Sequence, residues 1–355
     1  MSAAHANLRV WQHAPGPTPE WDIEAIDFSD IVGWLEDDHC AALACYLRSV
    51  EQADVTLPKP ERDDLGGVLP ARDAARAFFE ESFRPYKVSA APGLLTSYFE
   101  PVLKGSRLPS PAFPIPVYGR PPELMPLPPA HPLLAQGLTA ARDHGGAFEP
   151  YFTRAAIEEG ALAGRGLEIL YLADAIEAFV MHVQGSGLIE LDDGARTQLT
   201  FDGKNGHPYA SVARHLIERG LLGSEDADLD GMMACLRAHP DARSFMQENK
   251  SYIFFKELGP AEEGPKGSLG VKLYPGRSLA ADPAYHRLGL PLWVSAPDLT
   301  FEGGPFRRLV VAQDTGSAIK GPQRGDIFAG TGSDAQKSAG RVRHKCEFII
   351  LKPKC

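Results

Sequence analysis

The stretch VVAQDTGSAIKGPQRGDIFAGTG, residues 310–332, decides how the chain is read. Two short apolar runs, Arg308–Gln313 and Asp326–Ala329, each carry an aspartate (Asp314 and Asp326) beside glycines that crowd nothing. Their connection contains Lys320 and three glycines. Runs of this length are strands rather than helices. Working outward, further strand-like runs follow Asn249: Tyr252–Phe255, Val271–Tyr274, Leu292–Val294 and Cys346–Leu351. Short strands at this spacing predict a barrel rather than an open parallel sheet.

Upstream the texture is mixed. The run from Asp37 predicts a helix with Ala41, Leu43, Ala44 and Leu47 near one face, and residues 71–83 predict a second. A polar connector, TLPKPERDDLGG, lies between them. Leu94–Phe99 reads as a strand and Pro114–Tyr118 as an extended edge segment, within a proline-rich linker or covering loop over 107–132. Thr153 is placed to cap a helix running through Gly160, and Ala173–Val180 predicts another. Met181–Leu191 and Arg196–Phe201 read as a hairpin turning at Asp192-Asp193-Gly194. Within it, Gln184-Gly185-Ser186-Gly187 is read either as a bulge or as a floor where a ligand packs closely. His207–Arg219 and Asp228–Ala238 read as helices.

Composition narrows the function. Of 355 residues, 44% are apolar and 23% charged, which excludes wholesale disorder. Glycine and proline number 35 and 31, an excess that favours turns and short strands over a helical bundle. The net charge of −10 argues against nucleic acid as a partner. Residues 301–355 nonetheless hold ten Lys/Arg against five Asp/Glu. The five cysteines (Cys40, Cys45, Cys235, Cys346, Cys355) are too scattered for a disulfide scaffold. No zinc spacing, phosphate loop, nucleophile elbow or dinucleotide fingerprint is present, so neither a metal nor a cofactor is expected. No run approaches the ~18 apolar residues of a membrane span. Ala4-His5-Ala6 has the form of an export cleavage site, which reads as a trimmed or late-started exported protein.

Carboxylates without metal ligands or an activated nucleophile point to glycoside chemistry, in which an acid protonates the leaving oxygen. Asp314, Asp326 and the upstream Asp282 are the candidates.

The chain resembles the MltA-type lytic murein transglycosylases, whose C-terminal part belongs to a family named for three aspartates. The resemblance rests on seven motifs in the family's order, covering nearly the whole chain. They are Val32-Gly-Trp-Leu-Glu-Asp-Asp-His39, Leu95-Thr-Ser-Tyr-Phe-Glu-Pro101 and Val183-Gln-Gly-Ser-Gly187. Then come Gly203-Lys-Asn-Gly-His-Pro-Tyr209 and Ser251-Tyr-Ile-Phe-Phe-Lys256. Asp314-Thr-Gly-Ser-Ala-Ile-Lys-Gly321 and Gly325-Asp-Ile-Phe-Ala-Gly330 complete the set. Thr315-Gly-Ser317 replaces a Gly-Gly version, and the connector is one residue longer than in the family.

The resemblance implies a mainly β chain with peripheral helices: a double-psi β-barrel from residues 1–104 and 248–355, and a β-rich substrate-binding domain inserted at 105–247, with a groove between them. It implies non-hydrolytic cleavage of the β-1,4 bond between N-acetylmuramic acid and N-acetylglucosamine, leaving a 1,6-anhydro end. Asp326 is the implied acid/base and Asp314 its supporting carboxylate. Thr96, Gln184, Gly185 and Ser186 match groove-lining positions. Tyr98, Lys204, Asn205, Tyr209, Asp282 and Lys320 join them as candidate substrate contacts, and Phe99 and Phe254 as further sugar-stacking aromatics. The implied partner is a peptidoglycan strand, with other cell-wall enzymes beside it, and the protein is expected to be a monomer in the periplasm or at the outer membrane.

One carboxylic acid suffices for such chemistry, because the attacking C6 hydroxyl is already tethered to the sugar. Asp326 must then titrate above the usual ~3.9, through burial against Ile327 and Phe328 or the charge of Asp314. Lys320 beside Asp326 would oppose this, so it is expected to face substrate oxygens or Asp314. Three alternatives stay open: a hydrolase using Asp314 as second carboxylate, an inactive glycan-binding barrel, and a protein-interaction scaffold.

Overall fold

The computed structural model describes residues 21–53, 56–60, 72–89, 92–223, 225–260, 264–301 and 304–354. The Ala4–Ala6 motif, most of the polar connector and Cys355 lie outside the described residues. In chain order the first strands are β1 (Asp22–Ala25), β2 (Phe83–Ser89), β3 (Gly93–Glu100), β4 (Val102–Ser106) and β5 (Ile115–Tyr118). There follow β6 (Leu124–Pro126), β7 (Ala140–Asp143), β8 (Phe148–Glu149), β9 (Glu168–Leu172), β10 (Ser186–Leu191), β11 (Arg196–Lys204) and β12 (Ile253–Pro260). The last are β13 (Ser278–Ala281), β14 (Pro291–Phe301), β15 (Gly304–Asp314), β16 (Arg324–Thr331) and β17 (Arg343–Pro353). Contacts divide the chain into two units.

The first unit comprises residues 15–98, 266–330 and 341–355. Its strands run in the order β1-β2-β17-β14-β15-β13-β16-β3, and β3 also pairs with β17. The strands β17, β14, β15, β13, β16 and β3 therefore close on themselves as a six-stranded barrel. Within it β13 and β15 are parallel, whereas β14–β15, β13–β16, β14–β17 and β17–β3 are antiparallel. Side chains alternate across the wall. Leu292, Val294, Val310 and Ala312 fill the interior with Leu95, Leu279, Ile327 and Phe348. Trp293, Leu309 and Val311 point outward into a second core beneath α1 (His39–Val50) and α2 (Arg72–Ser82). The apolar runs are continuous because both faces of these strands are covered.

The α1 stripe differs from the expected one. His39, Ala42, Leu43, Cys45, Tyr46, Ser49 and Val50 are buried, while Ala41, Ala44 and Leu47 are only partly so. Asp38 caps α1 by accepting from the Cys40 and Ala41 N–H groups. Asp37 forms a buried bidentate pair with Arg277 (2.8 and 2.9 Å) and accepts from the Leu309 N–H at 2.8 Å. This pairing fixes the segment before α1 to β15.

The second unit comprises residues 99–265 and 331–340. Its main sheet runs β12-β11-β10-β4-β9-β5, with β10 and β4 parallel, and a small sheet runs β6-β7-β8. β12 pairs with β11, so residues 253–260 belong to this sheet, beyond the expected boundary at 247. Within the proline-rich 107–132 stretch, β5 forms a sheet edge where Pro116 costs no ladder bond, and β6 pairs with β7.

Several expectations are corrected. Met181–Gln184 is not strand but the end of a helix, Ala175–Gln184, which Gly185 (φ 83°) closes by donating its N–H to the Met181 carbonyl. The helix expected from His207 starts only at Val212, after the Ser211 cap. Val271–Tyr274 is no strand: Leu269, Val271 and Leu273 alternate into the core, and the Leu269 N–H donates to the Gln313 carbonyl at 3.1 Å, but the ladder pairing of this segment is the isolated Lys266–Lys272 bridge. β13 was not foreseen, because its small residues Ala280 and Ala281 carry little strand propensity.

Candidate active site

The chemistry-bearing residues of the barrel converge on β13. Ala280 faces Asp326 on β16 and also Asp314 on β15. The second pairing needs a bulge: Leu279 opposes Ala312, then Ala280 opposes Asp314, so Gln313 is passed over. A bulge that re-aims a side chain is a common device beside active sites. Gln313 instead turns to α1, donating to the Cys45 carbonyl and the Ser49 hydroxyl, both at 2.8 Å. The two aspartates are thus two strand spacings apart, roughly 10 Å between Cα atoms.

Their environments differ. Asp314 is saturated. Its Oδ1 accepts from the Ser268 N–H, the Ser268 hydroxyl and the Thr315 N–H, each at 2.8 Å. Its Oδ2 accepts from the Tyr98 hydroxyl at 2.9 Å. Gly267 makes room for this, since a Cβ there would lie 2.5 Å from the Gln313 carbonyl oxygen. Burial still raises the Asp314 carboxyl above its ordinary range, against the pull of these donors. The Tyr98 phenol is pushed well up, by burial first and then by the neighbouring Asp314 charge.

Asp326 is half-buried and, among the described residues, has one side-chain hydrogen-bond partner, the Thr96 hydroxyl, which donates to Oδ1. Arg324 donates through Nη2 to the same Thr96 oxygen at 2.8 Å. Asp326 titrates at about 6 instead of 3.8, chiefly because burial disfavours its charge. The Thr96 hydrogen bond and the Arg324 charge pull it down, and the Asp314 charge raises it. Period-two alternation sets Arg324, Asp326 and Phe328 along one face of β16, with Thr96 and Tyr98 alternating likewise on β3. The Tyr98 and Phe328 rings lie 5.4 Å apart beside the acid.

Asp282 and Lys320 form a separate pair. Lys320 Nζ is 3.7 Å from Asp282 Oδ1, so it faces neither Asp314 nor Asp326. Asp282, 4% exposed, also accepts from the Gly321 N–H at 2.9 Å and the Ala284 N–H at 3.2 Å. With the His286 ring, 2.7 Å from the Pro322 carbonyl oxygen, it holds the loop that leads into β16.

The remaining candidates lie in the second unit. Gln184 Oε1 accepts from the Phe99 N–H at 3.0 Å, Gly185 closes its helix, and Ser186 opens β10. Lys204 is buried at the end of β11. Asn205 is fully buried: its amide donates to the Phe152 and Lys250 carbonyls and accepts from the Tyr252 and His207 N–H groups. It is a core bracket. Phe99 and Phe254 are also core residues, 1% and 0% exposed, and present no stacking face; Tyr209 is 46% exposed. Sequence reasoning missed Ser268 and Arg324. The i, i+2 spacing from Arg324 to Asp326 was a readable sign; the pairing of Ser268 with Asp314, 46 residues away, was not.

Among the described residues no group of three or more His, Cys, Asp or Glu is placed to hold a metal, the Cys45, Cys235 and Cys346 side chains form no disulfide, and no helix is long and apolar enough to cross a membrane.

Comparison with known proteins agrees with this architecture. Residues 94–256 match the MltA specific insert domain and residues 277–352 the 3D domain. The crystal structure of a membrane-bound lytic murein transglycosylase from Agrobacterium tumefaciens is similar, with 34% identity, a TM-score of 0.80, and coverage of 94% of this chain and 98% of that one. That of MltA from Neisseria gonorrhoeae is similar at 28% identity and a TM-score of 0.74, covering 97% and 99%. Membrane-bound lytic murein transglycosylase A of Vibrio cholerae is 34% identical over 259 residues, spanning 71% of this chain and 63% of that protein. The chain belongs to the MltA family.

Proposed function

We propose that the protein is a lytic transglycosylase that cleaves the β-1,4 bond between N-acetylmuramic acid and N-acetylglucosamine in peptidoglycan, leaving 1,6-anhydro ends, with Asp326 as sole acid and base. The observation that carries this is the contrast between the two carboxyls. Asp326 titrates at about 6 and keeps one oxygen free of side-chain donors, whereas both Asp314 oxygens are engaged.

The protonated Asp326 gives its proton to the glycosidic oxygen as the C1–O bond breaks and C1 becomes oxocarbenium-like. The new carboxylate then takes the proton of the C6 hydroxyl, whose oxygen attacks C1 and closes the anhydro ring. The acid is restored and no water is consumed. Because the nucleophile is tethered, proximity replaces a second carboxylate. A hydrolase would need Asp314 to activate water or attack C1, and its hydrogen bonds oppose both.

The barrel unit supplies the acid in this reading, and the second unit, with Tyr209 exposed, supplies glycan contacts. The name membrane-bound lytic murein transglycosylase A, carried by its relatives, supports a membrane-associated setting, and a peptidoglycan substrate implies the periplasm in this reading. Digestion of purified sacculi followed by mass spectrometry tests the activity. The expected disaccharides are lighter than hydrolytic products by one water. Hydrolytic masses, or intact strands, would overturn it.

A further inference from the structure

We infer that Arg324 is a positioning residue that acts on Asp326 through the hydroxyl of Thr96, orienting that hydroxyl's single proton toward Asp326 Oδ1 and reserving Oδ2 for the transferred proton. The inference rests on the reading of Asp326 as the acid.

A guanidinium can only donate, so the Thr96 oxygen must accept from Arg324 Nη2 across 2.8 Å. With that lone pair engaged, the Thr96 proton is directed to Asp326 Oδ1, which lies within hydrogen-bond reach of the hydroxyl. Arg324 cannot swing freely. Its Nη1 donates to the Leu94 carbonyl at 3.3 Å and to the Gly325 carbonyl. One side chain thus ties the starts of β3 and β16 and sets the direction of the hydroxyl between them.

A carboxyl whose Oδ1 always receives a hydrogen bond carries its own proton on Oδ2. That oxygen both donates to the glycosidic oxygen and takes the C6 proton back, so the acid need not rotate between the two halves of the reaction. The directed hydroxyl also steadies the carboxylate formed midway.

Every charged or titratable neighbour bears on the test. Asp326 is faced by Asp314 from β15 and Tyr98 from β3, with Arg324 on its own strand; β13 contributes Ala280. Arg324 is itself faced by Arg343 and Cys346 on β17. Of these only Arg324 is replaced in the experiment below, and its direct charge effect on Asp326 is what the T96V background isolates.

The experiment is a substrate-free titration of the Asp326 carboxyl by carbon-13 NMR, assigned with D326N, in the parent, T96V, R324M and T96V/R324M. Losing a charge-assisted hydrogen bond raises the carboxyl midpoint, here expected by about one pH unit in T96V. R324M is expected to raise it in the parent background and by less than half as much in the T96V background, while Thr96→Ser, which keeps the hydroxyl, holds the parent value. Equal R324M shifts in both backgrounds, a T96V-background shift of half or more, or no shift in the parent background would overturn the inference. If R324M does not fold, Arg324→Lys, which loses the fork, replaces it in the same comparison. Because no sugar is present, the outcome is independent of the transglycosylase reading. Sacculus digests lacking anhydro ends would remove that reading and leave the coupling, whereas uncoupled shifts would remove the coupling alone.

Discussion

Asp326 in the barrel and Asn205 in the second unit both lie in sequence motifs and both carry short polar side chains, yet they do opposite work. All four Asn205 contacts are to backbone groups, so its hydrogen-bonding capacity is spent on holding Phe152, Lys250, Tyr252 and His207 together. Asp326 is held through Oδ1 alone, and burial keeps it protonated to about pH 6. A saturated polar group builds; an unsaturated one in a half-buried setting reacts. Asp314 stands between them, a carboxylate within the site but saturated like Asn205.

The largest break in this contrast is D326N, which removes the proposed proton donor while keeping the shape. Anhydro-end formation, followed by mass spectrometry of sacculus digests, should fall by at least about a hundredfold, the low end for general acid–base catalysis. Thermal stability should not drop. N205A should do the reverse. It leaves two carbonyls and two N–H groups buried without this partner, a cost of about 2–4 kcal/mol in denaturant unfolding, with anhydro ends still formed by the folded fraction.

D314N sharpens the middle case. The amide keeps an acceptor for Ser268 and Thr315, so the effect on turnover should be no more than about tenfold and far smaller than that of D326N. Removing the Asp314 charge also removes a cause that raises Asp326. The basic limb of kcat/KM against pH, which reports the acid in the free enzyme, should therefore move to lower pH. A shift to higher pH would contradict the assigned charge coupling.

The smallest effect is on stability. Because the Asp326 midpoint is raised from 3.8 to about 6, the folded state holds a proton that the unfolded state has lost across that window. This stabilising contribution is complete below pH 3.8 and is lost as pH rises through 6. D326N should therefore melt higher than the parent at pH 8, with the gap closing toward pH 4.

Much of this was legible before any coordinates. Asp314, Asp326 and the strands beside them follow from short, continuous apolar runs, and the Asp193-Gly194 turn joins β10 to β11 as read. What was not legible depended on distant neighbours. The alternation of Leu269, Val271 and Leu273 promised a strand, but a strand also needs a partner, and only Lys272 finds a bridge. β13 was hidden for the converse reason: Ala280 and Ala281 have little propensity, and their strand exists because β15 and β16 flank it. At the site, Ser268 and the bulge at Gln313 decide that Asp314 is a saturated support, and neither leaves a local trace. Apolar motif residues misled in their own way, since Phe99 and Phe254 suit a sugar face but are enclosed in the core.

The central claim is that the ring oxygen at each new end comes from the sugar itself. Digestion of sacculi in water enriched with heavy oxygen measures this directly. The account predicts unlabelled anhydro ends from the parent protein and none from D326N. Heavy oxygen at C1 of the released muramic residues would contradict it.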